Sequence, residues 1–265
     1  MRRLIIVVLV LVGLFVAVDF GAAALAESAV SRQMREQVGL VDDPSVRING
    51  FPFLTQAVSG HYGSIDVQAR HISVGPLQDL SVTAQLRDVE APLPMLLGSG
   101  PKTLQVGEAE GSVRIPATDL QRILNRNGAV EIDDLRIDAV DAAGLKAAAK
   151  DSGDASLTSI DPDHAARLTG STTLPLLGRS DVSVIVALDL EGGKIRLVPR
   201  NVRFGGDVLP AALQGSVAEL FTVTVDPGSL PLEVTPTELT AVDGTLQISG
   251  TATNLTLGGP SVPAS

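Results

Sequence analysis

Hydrophobic and polar positions along the chain fall into three regimes. Residues 4–18 carry no polar side chain and follow the positive start Met1-Arg2-Arg3. From residue 20 to residue 38, Ala23, Ala26, Val30, Met34 and Val38 recur every three or four positions, while Glu27, Arg32, Arg35 and Glu36 fall largely elsewhere. That spacing predicts one amphipathic helix, with Gly39 as its C-terminal cap. Beyond it the period drops to two. Strands are predicted at 46–48 and 51–54 around an Asn49-Gly50 hairpin turn, and then at 65–74, 80–86, 103–106 and 111–115. Further strands are predicted at 131–137, 167–174, 182–190, 194–198, 221–225, 232–234, 238–242, 245–249 and 253–257, with a Gly192-Gly193 turn and short helices at 117–125 and 210–220.

The first regime has the charge order and length of a secretory signal, and Ala24-Leu25-Ala26 offers a cleavage site that would leave Glu27 first. The rival reading is an uncleaved anchor. A span needs about 20 apolar residues, which residues 4–26 supply if Asp19 is tolerated. Residues 1–26 are therefore a signal peptide or N-terminal membrane anchor, and the chain is expected to be exported. Residues 27–257 are expected to form one β domain, since no long linker or charge block divides them. Residues 258–265 are a small-residue tail expected to be disordered. One internal echo, Glu110-Gly111-Ser112-Val113 against Asp243-Gly244-Thr245-Leu246, fits either a duplicated sheet unit or ordinary hairpin grammar.

Composition narrows the chemistry. Lys plus Arg number 20 against 30 Asp plus Glu, a formal net charge of −10, so nucleic acid is not an expected partner. With no Cys, disulfides, thiolate nucleophiles and Cys-ligated metals are excluded. His61, His71 and His164 share no metal-ligand spacing. No G-x-S-x-G occurs, and Gly98-Ser99-Gly100-Pro101-Lys102-Thr103 lacks the glycines of a phosphate loop and reads as a turn. Asp161-Pro162-Asp163-His164 is turn chemistry. We expect no catalytic residues, no metal, no cofactor and no enzyme activity.

What remains is apolar surface. The strands carry Val, Leu, Ile and Ala with few rings, so their inner faces are aliphatic. Such strands with one amphipathic helix either close as a filled sandwich or curve around the helix and leave a tunnel, and periodicity leaves both open. Phe51, Phe53 and Tyr62 cluster within twelve residues. Alternation puts Phe51 and Phe53 on one face, either as an apolar mouth for acyl chains or as a plug, with Pro52 suited to an edge.

The strings Ala26-Glu27-Ser28-Ala29-Val30-Ser31-Arg32-Gln33, Val46-Arg47-Ile48-Asn49-Gly50-Phe51-Pro52-Phe53-Leu54-Thr55-Gln56 and Gly60-His61-Tyr62, with Ile65-Asp66-Val67, resemble the LmeA-like phospholipid-binding proteins of actinobacterial envelopes. The likeness continues through Glu110-Gly111-Ser112-Val113 and Asp119-Leu120; residues 140–159 match no pattern of the family. The resemblance implies a mainly β fold with few helices, an elongated and strongly bent antiparallel sheet of the barrel-like, tubular lipid-binding type wrapped around the N-terminal helix. It implies an exported protein of the periplasm-like space or envelope that binds phospholipid and supports lipoglycan maturation, with the membrane and a glycosyltransferase machinery as partners. The expected lipid-binding residues are Val30, Met34, Phe51, Phe53 and Leu54. The alternative is a filled-core scaffold assisting a glycosyltransferase without a lipid cavity.

Overall fold

The structure is a computed structural model that describes residues 1–75, 77–92, 94, 103–127, 131–174, 178–191, 194–208, 223–225 and 235–257. The turns expected at 98–102 and at Gly192-Gly193, the helix at 210–220, the strand at 232–234 and the tail at 258–265 lie outside the described residues. The protein is mainly β, and its described residues form four α-helices and two antiparallel sheets that do not close.

Helix α1 (Arg2–Val38) joins the apolar run and the amphipathic stretch without a break, and Gly39 ends it in the left-handed conformation with its N–H on the Arg35 carbonyl. The next elements are β1 (Ser45–Asn49), α2 (Phe53–Ser59), β2 (His61–Val74), β3 (Leu77–Glu90) and β4 (Leu104–Pro116). Then follow α3 (Ala117–Asn127), β5 (Ile132–Ala139) and α4 (Ala142–Ser152). Two 3₁₀ turns, Ala155–Ser159 and Pro162–His164, precede β6 (Ala165–Leu174), β7 (Gly178–Glu191) and β8 (Lys194–Phe204). The last strands are β9 (Asp207–Val208), β10 (Val223–Val225), β11 (Thr235–Val242) and β12 (Thr245–Leu257). One sheet has the order β1-β2-β3-β4-β12-β11; the other has β10-β8-β7-β6-β5, with β9 on β8.

One expectation from local pattern is corrected and one open reading is decided. The segment after Asn49-Gly50 is helix α2 and not a returning strand; β1 pairs instead with β2, Asn49 opposite Ser64. The reason is tertiary, because a carboxylate on α1 satisfies the first amides of α2. The echo at residue 110 is no duplicate either. Glu110-Gly111 runs inside the continuous strand β4, whereas Asp243 and Gly244, both at positive φ, turn the β11–β12 hairpin.

The described chain forms two compact units, and it passes between them within β2, β3, β4 and β12. Among the described residues the first takes in those of 1–71, 82–111 and 251–257; its core gathers Ile48, Phe53, Tyr62, Ile65, Leu86, Val89 and Val106. The second takes in the described residues of 72–81 and 112–250. Its main core takes alternate residues of β7, Val182, Val184, Val186 and Leu188, with Leu120 and Leu124 of α3. A smaller core on the other face joins Leu145 and Ala149 of α4 to Leu157, Ala165 and Ile185. The second unit's β5–β8 sheet is thus apolar on one face and only partly covered on the other.

Candidate functional site

The expected lipid-binding residues all belong to the first unit, where α1 meets β1 and α2. Asp19 is the residue that builds this junction. It is the sole charged side chain between Arg3 and Glu27, yet it is only 2% exposed. Its two carboxylate oxygens accept from the backbone amides of Phe53 (2.9 Å) and Leu54 (2.8 Å). Those are N-terminal amides of α2 that the helix itself leaves without acceptors, and a negative group there also meets the favourable end of the helix dipole. Further along α1, Glu27 Oε1 accepts from Ile48 N at 2.7 Å and the Ser31 hydroxyl donates to the Pro44 carbonyl. Ala22, Ala23, Ala26, Val30 and Met34 pack into the same core. Residues 19–34 of α1 are therefore part of the folded unit, whereas the large apolar side chains from Leu4 to Val18 are exposed, apart from the half-buried Val16.

The Gly50–Gln56 block has a physical explanation residue by residue. Gly50 sits at φ 106°, a conformation that favours glycine, and a Cβ there would lie 2.7 Å from Gln56 Nε2 and displace that amide. The Phe51–Pro52 peptide is cis and Pro52 caps α2. Gln56 holds the turn from inside: its Nε2 donates to the Asn49 carbonyl (3.2 Å) and its Oε1 accepts from Gly63 N (3.1 Å). Asn49 in turn donates to Asp66 at 2.8 Å.

This geometry separates Phe51 from Phe53, which strand alternation had put on one face. Phe53 is 4% exposed and packs beside Tyr62, ring centroids 6.4 Å apart. Phe51 is 57% exposed, stacked on Phe20 at 6.1 Å and edge-on to Phe15 at 6.4 Å. Val30, Met34 and Leu54 lie between these extremes, half-buried against the core. Phe15, Phe20, Asp19 and Gln56 escaped the sequence reading; the available signal was one acid interrupting an apolar helix. The Tyr62 hydroxyl is buried without a partner, and burial pushes its pKa up.

The remaining candidates behave as surface. His61 lies 3.8 Å from Glu90 and His71 2.7 Å from Asp42, all four exposed. Asp161 accepts from Asp163 N at 3.1 Å, a local turn. Among the described residues no group of three or more His, Asp or Glu side chains could hold a metal ion.

The sequence model of the LmeA-like phospholipid-binding family matches residues 17–251, a stretch that begins just before Asp19. No curated protein and no solved structure matches the chain.

Proposed function

The chain belongs to the LmeA-like phospholipid-binding family, and from that membership we propose that it is an exported, non-enzymatic phospholipid-binding protein tethered by an uncleaved α1. In this reading acyl chains lie against Val30, Met34, Phe51, Phe53 and Leu54, with no cofactor. The observation that carries it is the aromatic step Phe15–Phe51–Phe20, exposed apolar surface held by the buried Asp19 cap.

The physics is direct. From Arg3 to Asp19 the helix rises about 24 Å at 1.5 Å per residue, most of the hydrocarbon thickness of a bilayer, about 30 Å. Arg2 and Arg3 favour the cytoplasmic side, which leaves the β units on the other face. Cleavage after Ala26 would remove Asp19 together with the packing of Ala22, Ala23 and Ala26, so retention is favoured over processing. Aliphatic walls suffice for the ligand, since each acyl CH₂ removed from water contributes about 0.8 kcal/mol. Envelope lipoglycan maturation, with a membrane glycosyltransferase receiving the lipid, is the cellular role that the family likeness suggests.

Native mass spectrometry of the full chain released from detergent micelles tests the reading. The expected result is one phospholipid per chain that survives removal of the detergent. The pair Met34→Gln and Leu54→Gln is expected to lower that occupancy about tenfold with an unchanged β signal in circular dichroism. A clean apo mass, or equal occupancy in the variant, would count against it.

A further inference from the structure

The second unit holds a polar cavity of about 850 Å³ that the lipid reading does not use. Its floor is the outer face of β5–β8, the face opposite the Val182–Leu188 core, and its wall is α4. Cross-strand register defines the floor. One row runs Arg136, Thr169, Ser183, Arg203 across β5, β6, β7 and β8; the next runs Asp138, Arg167, Ile185, Asn201 across the same strands. Arg136 and Arg167 are therefore diagonal neighbours on adjacent strands, within reach of a common ligand. The β5 strand can approach β6 this closely because residue 170 is glycine: a Cβ there would lie 2.9 Å from the Asp133 carbonyl. On the wall, Gly144, Ala147 and Ala148 are too small to fill the space.

Charge in the cavity runs against that of the chain. Four arginines and three aspartates line it, a local excess of one positive charge (4 − 3) in a protein of net charge −10. Two of the arginines are neutralised, Arg179 by Asp134 at 3.1 Å and Arg203 by Asp151 at 2.9 Å. Arg136 and Arg167 form no ion pair with a described residue, although Asp138 stands opposite Arg167 in the strand register. Asp181, the remaining acid, lies two residues along β7 from Ser183, beyond the row that contains Arg136.

The independent sign of a missing ligand is Asn201. Its side chain is 2% exposed, lines the cavity, and its Nδ2 has no hydrogen-bond partner. A buried amide left so is costly. Neighbouring Thr169 and Ser183 add hydroxyls on the same floor. The set is thus two guanidiniums without an ion-pair partner, two hydroxyls and one unsatisfied carboxamide on one face of four neighbouring strands. A carboxylate would use one guanidinium fork; a tetrahedral group with three or four oxygens can accept from several directions at once. The volume also suits a small molecule carrying such a group, since ligand sites run from about 300 to 1,000 Å³.

We infer that this cavity binds a phosphate group, as a free phosphate or phosphoester or as the headgroup of a lipid, through Arg136, Arg167 and Asn201. The inference is independent of where acyl chains bind in the first unit. The test uses the full chain in dodecyl maltoside micelles, whose headgroups carry no phosphate, following the side-chain amide NMR signal of Asn201, assigned by its loss in Asn201→Ala. Saturable movement of that signal on adding inorganic phosphate is the expected result for a soluble ligand. Movement seen only when phosphatidylglycerol is added to the micelles identifies a headgroup instead. In either case the double variant Arg136→Gln/Arg167→Gln, with both changes on exposed or half-buried side chains, is expected to raise the concentration needed about tenfold. An Arg114→Gln control, outside the cavity, is expected to change nothing. A signal that moves with neither probe, or that moves equally in the double variant, overturns the inference.

Discussion

Tyr62 and Asp119 show two fates of a buried polar group. The Tyr62 hydroxyl lies in the first unit's core without a partner, so it contributes desolvation cost without a compensating bond. Tyr62→Phe is expected to leave stability unchanged or raise it by about 1 kcal/mol, read by urea unfolding. The sign of its pH dependence follows from the same burial. The folded tyrosine keeps its proton above the ordinary value of about 10, so the folded state is at full stability below pH 10. Stability declines as pH rises past the unfolded-state value; Tyr62→Phe removes that slope. Asp119 is also fully buried, but its Oδ2 accepts from Gln78 N and Asp79 N at 2.8 and 2.9 Å, while its Oδ1 lies 2.7 Å from Arg122 Nη1 as an ion pair without hydrogen-bond geometry. Asp119→Ala strands two amides and one guanidinium, and a loss of about 3 kcal/mol is expected in the same measurement. Asp119 does for the second unit what Asp19 does in the first: one helix-borne carboxylate takes two successive backbone amides of another element.

At the scale of elements, caps and turns were legible wherever their partners are local. Gly39 as the end of α1 and the alternation of β3 and β7 follow from neighbours a few residues away. Helix α4 was missed although it carries both punctuation marks, Asp141 accepting from Gly144 N at 2.7 Å and Gly153 in the left-handed conformation. Its moment is weak because alanines fill both of its faces, and only Leu145, Ala148 and Ala149 are buried. Asp141→Ala is expected to cost about 1 kcal/mol, the usual value of an N-cap, lowering the thermal midpoint by a few degrees. Helix α2 is the opposite case. Its seven residues are too short to be stable alone, and the acceptor for its first amides lies 34 residues upstream, so no local rule separates it from a strand.

For the whole molecule, the N-terminal helix is the decisive element. Two shortened chains separate its roles. Removing residues 2–16 deletes exposed apolar surface and keeps Asp19, so the thermal midpoint is expected to stay close to that of the full chain. Removing residues 2–26 deletes the cap and three packed alanines, and a loss of about 3 kcal/mol or more is expected. Equal midpoints for the two would show that α1 is dispensable to the fold up to residue 26. The sequence by itself determined the β class, the apolar N-terminus, most strand positions and the family likeness carried by the Gly50–Gln56 block. These rest on periodicity and on residues whose backbone preference acts over a few positions. Only the tertiary structure decided that Phe51 faces out while Phe53 faces in, that Asp19 is a cap, and that arginines from β5, β6, β7 and β8 share one cavity. The reason is that burial and charge neutralisation are set by partners brought together through chain closure, and the identity of those partners is not encoded in the spacing of either one alone.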